Sequence, residues 1–158
     1  MRMRALVTIL ASVALVSACS PGSVIAEELE GCQVTPAGRV ASAAFGLVNT
    51  SNEPITLESI DAQEISGATV IDTWFEAYDG EGDPEPVLFG GDRRDRQAEG
   101  ATITELDGTV LERDDAGYVV IAIERTGSAE ALLEVVDITT DSQTLSAPVR
   151  LLLADSCE

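Results

Sequence analysis

Arg39-Val40-Ala41-Ser42-Ala43-Ala44-Phe45-Gly46-Leu47-Val48-Asn49 is the stretch whose reading decides the fold. It is apolar at odd and even positions alike and holds no acid. It stops at Thr50-Ser51-Asn52-Glu53-Pro54, a cluster of turn-forming residues. Such a run, bounded this way, reads as a strand with apolar side chains on both faces. Beyond the turn, Ile55-Thr56-Leu57-Glu58-Ser59-Ile60 has the alternation of a strand with one buried face.

Working outward, further strands are expected at Ala68 to Tyr78, Val87 to Phe89, Ala101 to Leu106, Tyr118 to Arg125, Ala131 to Thr139 and Gln143 to Leu153. Turn signals separate them at Ser66-Gly67, Asp79-Gly80, Asp107-Gly108, Ala116-Gly117 and Thr126-Gly127-Ser128. Pro148 inside the last apolar run calls for an edge strand or a bulge, since it has no amide hydrogen for a ladder. No convincing amphipathic helix stands out, although Ala129-Glu130-Ala131-Leu132-Leu133 has some helical character. Short strands at regular spacing predict an all-β protein, a β-sandwich of about seven or eight strands. Trp74 suits its core. The run from Ala43 to Leu57 is similar to a strand–turn–strand of exported immunoglobulin-like domains. That resemblance implies an immunoglobulin-like antiparallel sandwich, occupying residues 32–158.

The first residues say where the chain goes. Met1-Arg2-Met3-Arg4 precedes an apolar run from Ala5 to Val16, and Ser17-Ala18-Cys19 follows. Two positive charges, about a dozen apolar residues and a small-residue cleavage region make a secretory signal over residues 1–18. The apolar run falls short of the roughly 20 residues that a spanning helix needs. Leu15-Val16-Ser17-Ala18-Cys19 resembles the lipobox of bacterial lipoproteins. The resemblance implies cleavage before Cys19 and a diacylglycerol on its thiol, with the new N-terminus often acylated too. Two or more acyl chains anchor a protein stably where one does not. The partner implied is the membrane, and the location the outer face of the cell membrane. Residues 19–31 are then a lipidated N-terminus and a short tether, whose twelve residues after Cys19 reach roughly 20 Å as a flexible coil.

Composition narrows the chemistry. The 158 residues hold 28 acids, nine arginines, no lysine and no histidine. Loss of Arg2 and Arg4 with the signal leaves seven arginines against 28 acids, a balance of −21. Such a charge repels nucleic acid and anionic lipid. Arginine without lysine, beside abundant Ala, Asp and Glu, suggests a high-GC genome such as an actinobacterial one. With Cys19 assigned to lipid, Cys32 and Cys157 remain, and an even pair in an exported chain reads as a disulfide.

Without histidine no Ser-His-Asp triad or Cys-His dyad can form, and without lysine no Ser-Lys pair or Schiff base. The segment Asn49 to Ile60 is similar to small exported copper chaperones, but their His and Met ligands are missing here, so copper binding does not carry over. Carboxylate pairs alone, among so many acids, do not single out a hydrolase. The expectation is therefore a protein that is not an enzyme and needs no cofactor, and that interacts with another envelope protein. Its contact surface is expected at the loop carrying Arg93, Arg94 and Arg96. The alternative is a calcium-binding module in which Asp79, Glu81, Asp83 and Glu85 present oxygens from a Gly-containing loop. That loop departs from an EF-hand: Pro84 takes the place of its central glycine and Gly90 that of its closing glutamate.

Overall fold

The computed structural model describes residues 23–25 and 28–157. The expected signal peptide and Cys19 lie outside the described residues. The chain is predominantly β, in the order β1 (Ser23–Ile25), β2 (Leu29–Val34), β3 (Val40–Asn49), β4 (Ile55–Ser66), β5 (Ala68–Ala77), β6 (Val87–Gly90), α1 (Arg93–Ala98), β7 (Ile103–Thr104), β8 (Val110–Leu111), β9 (Ala116–Arg125), β10 (Ala131–Thr140) and β11 (Thr144–Ala154). Two sheets face each other. The first runs β1-β3-β9-β5-β7, with β6 also paired to β3; the second runs β2-β11-β10-β4-β8.

The apolar run read at 39–49 is β3, and it is buried along both faces, as is most of β9. Its odd positions Ala41, Ala43, Phe45 and Leu47 enter the main core between the sheets. There they meet Leu57 and Ile60 of β4, Val136 and Ile138 of β10, and Leu151 and Leu153 of β11. Each such leucine or isoleucine contributes roughly 1.5–3 kcal/mol by leaving water. The second sheet keeps one face in solvent, which is why β11 alternates between buried and exposed residues over Ala147, Val149, Leu151 and Leu153.

Several expectations change. Eleven strands are present among the described residues in place of seven or eight: four of two to four residues join seven longer ones. The arrangement is not purely antiparallel, because β2 pairs parallel with β11, from Leu29 opposite Val149 to Val34 opposite Ala154. The two strands come from opposite ends of the domain, so no hairpin forces them to run antiparallel. Part of the expected tether is built into the sheets: β1 pairs Ser23 with Asn49 and Ile25 with Leu47, and Leu29 to Gly31 begin β2. The fold thus starts at least nine residues before the boundary expected at Cys32.

Ala116-Gly117 is not a turn but the start of β9. Glycine is needed there because a Cβ at Gly117 would sit 2.0 Å from the Phe75 ring. The strand expected over Ala101 to Leu106 shrinks to Ile103–Thr104, paired only with Phe75 and Glu76 of β5. The segment with helical character is strand β10, and its register slips between Leu133 and Val135. Pro148 lies opposite that slip, on an interior strand, so the bulge and not the edge accommodates it. A helix that the strand pattern did not anticipate, α1, follows β6.

Candidate functional site

Cys32 and Cys157 are bonded, with Cα atoms 5.8 Å apart and a sequence separation of 125. Cys32 sits on edge strand β2, and Cys157 follows the end of β11, so the bond fastens the chain's last residues to the edge of the second sheet.

The acidic loop does not assemble as a cation site. Asp79, Glu81, Asp83 and Glu85 are all exposed, and among the described residues no group of three or more His, Cys, Asp or Glu is placed to hold a metal ion. What the loop buries is Pro84. Its carbonyl lies against β3 so closely that a Cβ at Gly46 would meet the oxygen at 1.8 Å. The proline, seated on the sheet, sets the course of the loop and leaves the acids to solvent, where mutual repulsion keeps them spread.

The three arginines expected as a contact surface have two different fates. α1 and its flanks cross the outer face of the first sheet as a strap, from β6 on one side to β7 on the other. Asp92 caps the helix, accepting from the amides of Arg94 and Asp95, while the Asp95 carboxylate accepts from the Asp92 amide. This reciprocal box suits a helix N-terminus. Arg93 reaches down to Asp72 (Nε–Oδ2 2.9 Å) and to the carbonyl of Thr73, and also pairs with Glu105. Arg96 pairs with buried Glu76 and with Glu99. The hydrogen bond that Arg93 donates to Glu105, with help from Asp72, holds its guanidinium above the usual range; Glu76 and then Glu99 do the same for Arg96. Two of the three are therefore internal fasteners, and only Arg94 is exposed.

Beneath the strap lies a second apolar cluster of Ala44, Trp74, Val120 and Ala122, with Phe89 and Ile103 at its margin. Trp74 is fully buried here, on the outer side of the first sheet and not between the sheets as expected of a sandwich core. The Arg93 guanidinium lies 5.8 Å from its ring centre, and that of Arg96 lies 4.7 Å from the centre of Phe89. None of the helix's own residues is buried, so guanidinium planes and not aliphatic side chains roof the cluster. Trp74 Nε1 is buried without a hydrogen-bond partner. Tyr118, at the edge of this cluster, is pushed above the usual phenol range by burial first, then by nearby Tyr78, Glu76 and Glu85.

A recess of about 460 Å³ opens at the end of the sandwich where β5, β8 and the start of β9 meet. Phe75, Leu111, Val110 and Tyr78 give it apolar walls, and Asp114 and Asp115 stand at its rim. The Tyr78 hydroxyl donates to the Glu81 carbonyl (3.1 Å) and so holds the Gly80–Gly82 side in place. The rim is fixed by fully buried Asn49. Its amide donates to the Asp115 carbonyl (3.0 Å), its carbonyl accepts from the Asp114 amide (2.8 Å), and its side chain donates to the Leu111 carbonyl (2.9 Å). These bonds hold Asp114 at φ 66°, a left-handed conformation that aspartate tolerates better than most residues. Reading strands and loops in the sequence does not find this recess, because its walls come from two segments far apart in sequence, Phe75 to Gly82 and Val110 to Ala116.

No family model matches the chain, and no curated protein matches it. Among solved structures, the chain is similar to the ASH/PapD-like domain 7 of human CEP192, at 11% identity over 99% of each chain and a TM-score of 0.44. It is also similar to part of the secreted serine protease VesC from Vibrio cholerae, at 9% identity and a TM-score of 0.42. That match covers 83% of this chain and 23% of the protease. These are similarities of outline at low identity.

Proposed function

We propose that the chain is a lipid-anchored extracytoplasmic module with an immunoglobulin-like sandwich, which binds another envelope protein and performs no catalysis. The observation that carries this reading is how the cysteines divide. Of three, the fold bonds Cys32 to Cys157, a pairing that belongs to an oxidising compartment, and Cys19 is left for the thioether to lipid. Cys19 also stands only four residues before β1. Four peptide units span at most roughly 14 Å, so the lipid would hold the sandwich against the outer face of the membrane. That is closer than the roughly 20 Å expected of a twelve-residue coil. The lack of histidine and lysine supports a non-catalytic role, since the common nucleophile–base pairs need one or the other.

Labelling growing cells with an alkyne-bearing fatty acid tests the anchor. The natural chain takes up label and sediments with membranes, whereas Cys19→Ala takes up none and stays in the soluble fraction. A Cys19→Ala protein that remains labelled and membrane-bound would sink the reading.

A further inference from the structure

We infer that the open edge of β5 from Ala68 to Ile71 docks an extended segment of a partner polypeptide, added to the first sheet as an antiparallel strand of alternating aliphatic and basic residues. β5 pairs with β9 along one side, but on its other side β7 covers only Phe75 and Glu76. Hydrogen-bond directions fix which groups of this edge face outward. Arg125 donates its amide to the Arg39 carbonyl and accepts at its own carbonyl from the Gly38 amide, so its backbone faces β3 and not β5. Ala68 opposite it, and Val70 opposite Ile123, therefore turn their amides and carbonyls away from β9. The open stretch is bounded on both sides. At one end the Gly67 carbonyl accepts from the Thr126 amide. At the other, the Thr73 carbonyl accepts from Arg93 and its amide donates to Asp72.

Side chains on this edge are as uncovered as its backbone. Val70 is 41% exposed and Ile71 45%. Val70 stands opposite Ile123, a residue of the main core, so it lies on the inner face of the first sheet and still keeps much of its surface in water. Ala68, on the same face, is partly buried against that core. A strand added here would extend the core with aliphatic side chains opposite Ala68 and Val70, while its backbone would satisfy the outward amides and carbonyls. Proteins commonly block such edges with charge. The neighbouring free edge of β4 carries exposed Asp61 and Glu64, whereas Ala68 to Ile71 holds no charge at all. The bulge between Val70 and Asp72 limits the docked segment to a few residues.

Charge selects the occupant. Thr69 lies on the outer face opposite Glu124 of β9. Neighbouring strands stand about 4.8 Å apart, so a lysine or arginine facing Thr69 can lie across it and reach Glu124, roughly 10 Å from the added strand. A second copy of the chain does not suit this edge. It would set two balances of −21 against each other, across four residues of edge where stable interfaces use roughly 20–30 residues a side. This surface deepens the interaction role proposed above, and the choice of a polypeptide as occupant rests on that role. The lipid on Cys19 takes no part in it.

The test follows the isotope-labelled full exported chain by NMR with the peptide Lys-Val-Lys-Val-Lys. Saturating peptide should slow hydrogen exchange of the Ala68 and Val70 amides at least about tenfold. With valines opposite Ala68 and Val70 in an antiparallel register, the valine amides meet β5 and the central lysine amide faces away. N-methylation of both valines should therefore weaken binding about tenfold or more. N-methylation of the central lysine should leave it within about twofold, which separates strand pairing from attraction between a basic peptide and an acidic chain. Val70→Pro deletes an edge amide without touching the ladder to β9 and should abolish binding. Val70→Lys, which asks for no special backbone, should weaken it about tenfold, and Val110→Lys, at an exposed valine of the second sheet, by no more than about twofold. Equal weakening by the two methylated peptides, equal loss in Val110→Lys, or protection at Asp61 and Glu64 in place of Ala68 and Val70 would overturn the proposal. So would protection that grows with protein concentration alone, which would assign the edge to a second copy. Peptide protection of Ala68 and Val70 in Cys19→Ala would support the edge even where the anchor fails. A lipidated chain that shows no such protection overturns the edge and leaves the anchor standing.

Discussion

Arg125 joins three parts of the chain that meet nowhere else in sequence. Its side chain is 1% exposed, and its guanidinium donates to the carbonyls of Thr35, Ser128 and Ala129 and to the Asp155 carboxylate, at 2.7–2.9 Å. The planar fork matters more than the charge, because a lysine cannot reach that many fixed acceptors from one position. Arg125→Lys should therefore lower stability by about 2–3 kcal/mol in urea denaturation, since buried carbonyls lose their donors. Asp155→Asn should cost under about 1 kcal/mol, because Asp155 is mostly exposed and its pairing is screened. Equal losses would mean that the ion pair, and not the carbonyl cradle, does the holding. Nothing in the sequence flags this residue. An arginine closing an apolar strand looks the same whether it turns outward or folds back over a chain end 30 residues away. Cys32 and Cys157 are the opposite case: an even pair left once Cys19 is assigned to lipid was readable as a disulfide, and the two are bonded.

The strap formed by α1 shows how an element can escape a reading of hydrophobic period. It buries no residue of its own, so no apolar stripe advertises it. The legible signal was the capping pair Asp92 and Asp95, and the arginines between and after it read instead as a free surface. The element is fastened unequally. Arg96 neutralises Glu76, whose side chain is 8% exposed, whereas the partners of Arg93 are 36% and 78% exposed. Arg96→Met should cost about 2–4 kcal/mol by stranding a buried carboxylate, and Arg93→Met about 1 kcal/mol or less. Glu76→Gln should recover part of the loss in Arg96→Met. The single tryptophan, Trp74, lies beneath the strap, so its emission reports strap release without any label. Both guanidinium groups titrate above their usual value, so their contribution is whole below the unfolded value and is lost only as pH rises through the still higher folded value, far above neutral. Emission should thus hold constant from pH 7 to 10, and red-shift in Arg96→Met before global unfolding. A shift that coincides with global unfolding would show that the strap has no separate opening.

At the scale of the molecule, the sandwich has one part that hydrogen bonds alone hold weakly. β2 is an edge strand, paired on one side only and parallel, the geometry with slightly weaker ladders. Its long apolar neighbours were readable from their pattern, but β2 itself, Leu-Glu-Gly-Cys-Gln-Val, is too polar and too close to the expected tether to declare itself as a strand. The bond from Cys32 to Cys157 compensates by fixing this edge to the chain end. In the chain-entropy account, closing a loop of that length contributes roughly 4–5 kcal/mol, and measured effects run nearer 2–4 kcal/mol. Cys32→Ser/Cys157→Ser should lower global stability by about that amount while leaving β3 and β9 paired in the native state. Hydrogen exchange separates the two scales. Amides of β2 should exchange at least tenfold faster in the variant under native conditions, ahead of those in β3 and β9, whose rates should rise only as far as global stability falls. Uniform acceleration across all strands would mean that the bond acts on the unfolded chain alone. Selective loss of β2 would show that it also acts in the folded protein, holding closed the edge of the second sheet.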